Sequence, residues 1–180
     1  MSAFEITLLL GILIIGATIV WGSVRSGISP MPSSKQARDA MLKMSDETEK
    51  GPIYELGCGW GNLLIPLARQ HPERKIVAYE LSLLPWLSCL ILKAVLGLNN
   101  IKLYRQNFLQ ADLSQAAVLV CYLFPAGMQA LEKKINSEKI SIEYVISNNF
   151  ALPSHTAIQT VQLNDLYKSP IYLYTFNNQL

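Results

Sequence analysis

Apolar and polar positions alternate between two rhythms along most of this chain. Short apolar runs ending at Glu55-Leu56, over Lys75–Glu80 and over Val118–Pro125 (a strand and its exit) predict buried strands, as do Ile101–Arg105 and Ile142–Phe150. Between them the spacing becomes helical. Ala37, Met41 and Met44 share one face over 35–44, Leu63 to Arg69 repeats that pattern, and 83–98 carries Trp86, Leu87, Leu90, Ile91, Ala94 and Val95. A further helix is predicted over 128–135, with Glu132-Lys133-Lys134 as its solvated face. Strict alternation over 156–163 and the β-branched, aromatic run Ile171–Phe176 predict a closing hairpin. Alternating βα units followed by a hairpin predict an α/β fold with a mostly parallel sheet and helices on both faces.

One stretch breaks both rhythms. Ala3 to Val24 is apolar apart from Glu5 and a few small or hydroxyl residues, and Leu8–Trp21 carries no charge. About 20 helical residues cross a bilayer core, so this run is long enough. The start, Met1-Ser2-Ala3-Phe4-Glu5, lacks the basic residue of a signal peptide, whereas Arg25, Lys35, Arg38 and Lys43 follow the segment. We therefore expect an uncleaved transmembrane anchor over 3–24, a Gly/Pro/Ser-rich linker over 25–34, and a domain over 35–180. The domain is expected on the cytoplasmic or matrix side of a membrane, because positive charge follows the segment.

Composition narrows the chemistry by exclusion. The 180 residues are 51% apolar, and the net charge of +2 gives no general argument for nucleic-acid binding. Cys58, Cys89 and Cys121 form no Cys-x-x-Cys pair and are odd in number, which favours buried free thiols over a zinc site or a disulfide framework. His71 and His155 have no ligand-type partners nearby and read as surface or loop residues, so no metal is expected.

The most informative stretch is Glu55-Leu56-Gly57-Cys58-Gly59-Trp60-Gly61-Asn62. A strand ends beside an acid, three glycines follow at alternate positions, and a helix begins. Glycine reaches backbone angles that a Cβ forbids and lets a ligand approach the main chain. A dinucleotide fingerprint needs glycine at its sixth place, and Asn62 stands there. Glu80 closes the second strand about 20 residues further on, where nucleotide folds place a carboxylate for ribose hydroxyls.

Glu-x-Gly-x-Gly-x-Gly resembles the first motif of class I S-adenosylmethionine (SAM) methyltransferases. That resemblance implies a Rossmann-like seven-stranded sheet with SAM as cofactor. It implies that Glu55, Gly57, Cys58, Gly59 and Gly61 hold the methionine end and Glu80 the ribose. It also implies that Asn107 stands where many members carry an Asp for the adenine amino group, with Phe108 beside the ring. The substitution keeps an amide oxygen as acceptor.

The fourth strand leaves through Tyr122-Leu123-Phe124-Pro125. That is not the Asp/Asn-Pro-Pro-Tyr/Phe of amino-methyltransferases acting on nucleic-acid bases, so base methylation is not expected. Taken with the N-terminal segment and Asp112-Leu113-Ser114, the chain is similar to the small membrane-anchored lysine methyltransferases related to those modifying adenine nucleotide translocase and the ATP synthase c-subunit. This implies a bilayer partner and a protein substrate. No residue stands out as a general base. Tyr122, Asn148 and Asn149, at strand ends, are candidates to orient an amine. Two alternatives stay open: methylation of a lipid or small hydrophobic molecule, and a non-catalytic SAM-binding module tethered to a membrane.

Overall fold

In the computed structural model the central strands are buried on both faces, as their unbroken apolar runs require. The structure describes residues 32–48 and 50–176, together with Ser2, Glu5, Ile6, Thr7, Leu9 and Gly16. Pro32–Leu180 forms one unit and Met1–Met31 another. Most of the expected anchor and of the linker lies outside the described residues. Among the described residues no helix is long and apolar enough to cross a membrane.

The elements are α1 (Lys35–Asp46), β1 (Ile53–Leu56), α2 (Leu64–Gln70), β2 (Ile76–Tyr79), α3 (Leu83–Val95), β3 (Ile101–Tyr104), a 3-10 turn (Phe108–Gln110), β4 (Val118–Cys121), α4 (Pro125–Glu138), β5 (Tyr144–Asn148), β6 (Gln159–Gln162) and β7 (Pro170–Thr175). They build a seven-stranded sheet in the order β3-β2-β1-β4-β5-β7-β6. The first five strands are parallel, while β7 runs antiparallel to β5 and β6. This is the expected seven-stranded methyltransferase-like order with its terminal hairpin.

Register places the candidate chemistry along one edge. Leu56 pairs with Tyr79 on one side and Cys121 on the other, so the ends of β1, β2 and β4 align. Residues just beyond those ends (Gly57, Glu80, Tyr122) therefore meet at the carboxyl edge, where open α/β sheets bind ligands. Asn148 ends β5 at the same edge.

The two faces are covered unequally. One face sets Ile53, Ile76, Ala78, Ile101, Val118, Val120 and Ile146 against Met41 and Met44 of α1, Leu64 and Leu67 of α2, and Cys89 of α3. The other carries α4, whose Met128 sulfur lies 3.8 Å from the Cys121 thiol and 3.6 Å from the Ser147 hydroxyl. The chain from β3 to β4 supplies only the 3-10 turn, so part of that face over β1–β3 is left to side chains. There Tyr79 and Tyr104 stack with centroids 5.5 Å apart, and Tyr54 lies 6.1 Å from Tyr79. A cavity of about 240 Å³ opens beside these rings, Gln106 and Asp112.

Local signals explain the helix ends. The Ser34 hydroxyl accepts the Ala37 amide at 3.1 Å and caps α1. Pro125 occupies the first turn of α4, where a missing N–H does no harm.

Several expectations are corrected. His71 is buried, with Nε2 2.8 Å from the Ser45 hydroxyl. His155 places Nδ1 2.8 Å from a Glu132 carboxylate oxygen. Glu132 and Lys134 are themselves buried, so Glu132-Lys133-Lys134 is no solvated face. Lys134 reaches Glu138 at 2.7 Å, and Glu132 accepts from the Ser154 amide at 2.9 Å. Helical spacing identifies which residues share a face but not which distant loop covers them.

Candidate functional site: the glycine turn at the sheet edge

The turn after β1 is shaped by backbone bonds that side chains would hinder. Gly57 and Cys58 both donate to the Tyr79 carbonyl at 3.0 Å, tying the turn to the end of β2. The Gly61 amide donates to the Cys58 carbonyl at 2.9 Å, and α2 begins beyond it. Gly57, Gly59 and Gly61 hold φ of +86°, +52° and +84°. Such angles are rare for residues with a Cβ.

The three glycines serve different ends. A Cβ on Gly61 would lie 3.1 Å from the Cys89 sulfur and 3.6 Å from Ile65, so this glycine lets α3 pack against the turn. Cβ atoms on Gly57 and Gly59 would meet nothing within 4 Å. The turn thus presents bare backbone to open space at two positions.

Two acids border that space. The Glu80 carboxylate accepts from the Gly59 amide at 2.9 Å and from the Ser82 amide at 2.7 Å. It braces the glycine turn and the entry to α3 at once, and each oxygen keeps a second lone pair. Glu55 is buried, and its Oε2 has no hydrogen-bond partner. Burial, followed by the nearby Cys89 thiol and Glu80, pushes its pKa up to about 8. An unpartnered buried carboxyl beside open backbone suits a cationic group that would supply its missing partner.

The thiols are packing groups. Cys58 and Cys89 sulfurs lie 3.8 Å apart, and Cys89 donates to the Gly59 carbonyl at 3.2 Å. The Cys58 thiol is pushed up by its bond to Cys89 and then by burial, and burial raises Cys121 to about 12. All three are free and buried, as expected.

Asn107 stands at the start of the 3-10 turn after β3, and its side-chain oxygen accepts the Leu109 amide at 3.0 Å. Phe108 follows, half-buried. At the exit of β4, Tyr122 stacks on Phe150 with centroids 6.4 Å apart, and Phe124 meets the same ring at 5.7 Å. These rings form an aromatic wall at the sheet edge. Asn148 is buried and donates to the Ser33 hydroxyl at 3.1 Å, tying the approach to α1 to the end of β5. Asn149 has a φ of +68° and donates its amide to the Pro170 carbonyl.

Sequence reasoning gave no role at this site to Cys89, Ser82, Ser33 or Phe150. Cys89, Ser33 and Phe150 meet partners far along the chain, and Ser82 contributes only its backbone amide to Glu80, so no local motif marks any of them. Among the described residues no group of His, Cys, Asp and Glu is arranged to hold a metal ion.

This arrangement suits a ligand that brings a cation to Glu55, hydrogen-bond donors to Glu80, and a shape that lies against Gly57 and Gly59. SAM fits that donor set, since its methionine end is cationic and its ribose carries two hydroxyls. Comparison with known proteins gives the same direction. The family model for the ANTKMT methyltransferase domain matches residues 55–159. A protein-lysine N-methyltransferase of Saccharolobus islandicus (strain REY15A) is 24% identical over 148 residues, which are 80% of this chain and 91% of the relative. An RNA methyltransferase from Salinibacter ruber, solved with S-adenosyl-L-homocysteine, superposes with a TM-score of 0.72 at 26% identity over 83% of this chain and 96% of its own. A magnesium protoporphyrin IX methyltransferase from Synechocystis PCC 6803, solved with bound SAM, shares the fold at a TM-score of 0.59 and 17% identity over 78% of each chain.

Proposed function

The chain belongs to the ANTKMT methyltransferase domain family, and from that premise we propose that it is a SAM-dependent protein-lysine N-methyltransferase held at a membrane by residues 3–24. The observation that carries the cofactor reading is the pairing of open backbone at Gly57 and Gly59 with the unpartnered Glu55 carboxyl and the bracing Glu80. When bound, SAM supplies an electrophilic methyl group on a sulfonium. Glu55 would hold the cationic methionine end, and Glu80 the ribose.

The rest of the reading concerns the acceptor. A lysine amine in water titrates at a pKa of about 10.4 and must be neutral to attack. The half-buried rings of Tyr122, Phe124 and Phe150 put an apolar surface beside the exit of β4, where desolvation would favour the neutral amine. Tyr122 and Asn149 stand at that edge as groups that can orient it. Asn148, bonded to Ser33, positions the approach to α1 instead.

Lysine is favoured by the family match and by the Saccharolobus relative. The structural neighbour that acts on RNA keeps a nucleic-acid acceptor in view, although a net charge of +2 gives it no support. The apolar segment over 3–24 and the bases after it support the anchor, with the domain on the cytoplasmic or matrix side.

The test is incubation of the full chain with radiolabelled SAM and membranes from its source, followed by separation of protein, lipid and RNA. Label in methyl-lysine of a membrane protein is the expected result. Label confined to lipid would sink the lysine reading, and label in RNA would redirect it to the acceptor of the Salinibacter neighbour. Binding of SAM with no transfer to any fraction would support a tethered SAM-binding module.

A further inference from the structure

Helix α3 is apolar on its outward face as well as toward the core. A surface helix normally points its apolar stripe at the core and its charges at water. Of the α3 residues only Pro85 and Cys89 are buried. At about 100° per residue, Leu83, Leu87, Leu90, Ile91, Ala94 and Val95 fall on one outward arc. Ile91 is 60% exposed and Val95 75%. No charge interrupts that arc. Lys93, the basic residue of the last turn, stands at its border.

The patch extends beyond the helix. Trp60 sits in the glycine turn against which α3 packs, Leu81 follows Glu80, and Leu96 follows the helix, all exposed. Its own charge is one-sided. From Leu81 to Ala111 the chain holds no acid; Lys93 lies on α3 itself, whereas Lys102 stands over the Tyr104 ring on the other face of the sheet. A contiguous exposed apolar surface of this kind marks an interaction site.

Resting on the anchored reading above, we infer that the outward face of α3 seats in the headgroup layer of a lipid bilayer and holds the cofactor turn at the membrane surface. Charge selects lipid over a protein partner. An apolar helix with Lys93 at its border and no acid along its length suits the interface of an anionic membrane. The tether supplies the proximity. The ten residues of the expected linker, 25–34, span at most about 35 Å even when fully extended, so an anchor over 3–24 would limit how far the domain can leave the bilayer.

The experiment uses the full chain in phosphatidylcholine–phosphatidylglycerol vesicles. Because Cys58, Cys89 and Cys121 are buried, an environment-sensitive dye can be placed at Val95→Cys or Ile91→Cys. A control dye goes at Asn136→Cys on α4, on the opposite face of the sheet. Spin-labelled lipid is expected to quench the α3 dyes several-fold more than the control, with quenching that grows with the anionic fraction. Co-flotation with vesicles but no difference between α3 and α4 dyes overturns the inference and leaves the anchor standing. Failure to co-float overturns both. Dyes shielded from a water-soluble quencher yet untouched by lipid quencher would place a second copy or a protein helix on the ridge, and would also overturn it.

Discussion

The Glu80 carboxylate accepts the amide hydrogen of Gly59 at 2.9 Å, so a residue at the end of β2 fixes the middle glycine of the turn after β1. Its other oxygen takes the Ser82 amide at 2.7 Å. Glu80 is therefore a positioning group for the turn before it is a partner for any ribose.

This double role sets apart two substitutions. Glu80→Gln keeps one acceptor oxygen and loses the charge, so SAM affinity is expected to fall about tenfold, the value of one charge-assisted hydrogen bond. Glu80→Ala frees the Gly59 and Ser82 amides as well and is expected to abolish measurable binding. Titration calorimetry of both variants checks this order. Equal, undiminished affinity in both would remove Glu80 from the site.

Glu55 makes cofactor binding depend on pH. Its ordinary value is 4.5, and burial raises it to about 8 in the folded chain. The free protein at pH 7 therefore holds Glu55 largely protonated, and a cationic ligand must displace that proton. SAM affinity is expected to rise as pH approaches about 8, with proton uptake by buffer on binding at pH 7. Calorimetry in buffers of different ionisation enthalpy reads this directly. Stability runs the other way. Between 4.5 and about 8 the folded chain binds a proton that the unfolded chain has released, so this group's contribution is lost as pH rises through that window. Glu55→Gln is expected to flatten both dependences, and thermal unfolding across the window checks the second.

How much of this was legible in the sequence depends on where each constraint lies. The glycine turn was readable because its need is local: backbone angles dictate residue type at Gly57, Gly59 and Gly61. The central strands were readable because burial on both faces forces unbroken apolar runs such as Val118–Cys121. Partnerships were not. His71 meets Ser45 across 26 positions, and Glu132 meets His155 across 23. A histidine or acid with a remote partner looks the same in sequence as one in water. The outward apolar arc of α3 was hidden for another reason: helical spacing shows a stripe without showing which way it faces.

Gly59 and Gly61 are expected to separate binding from stability. Ala at Gly61 must push the Cys89 sulfur from 3.1 Å while holding a φ of +84°, so the fold should lose about 1–3 kcal/mol. Ala at Gly59 meets no atom within 4 Å and has a φ of +52°, which costs about 1 kcal/mol. Its methyl group instead fills the space where the cofactor would approach. Gly59→Ala should therefore melt near the wild type and bind SAM at least about tenfold more weakly, a loss of about 1.4 kcal/mol. Gly61→Ala should show the reverse emphasis. Melting curves paired with binding isotherms decide between them.

Asn148 offers the sharpest separation of an amine-orienting role from a structural one. Its amide nitrogen donates to the Ser33 hydroxyl at 3.1 Å, joining the end of β5 to the point where the chain enters α1. The adjacent Ser34 caps that helix. Asn148→Ala removes this side-chain tie and leaves Ser33 able to turn to water. The expected loss of stability is about 1 kcal/mol, the net value of one buried hydrogen bond. If the residue acts through Ser33, Ser33→Ala should reproduce the effect, and the double variant should cost no more than either single one. Methyl transfer at saturating SAM should then fall equally in all three. A loss of turnover in Asn148→Ala alone, with Ser33→Ala at wild-type rate, would instead assign the Asn148 side chain to the acceptor amine.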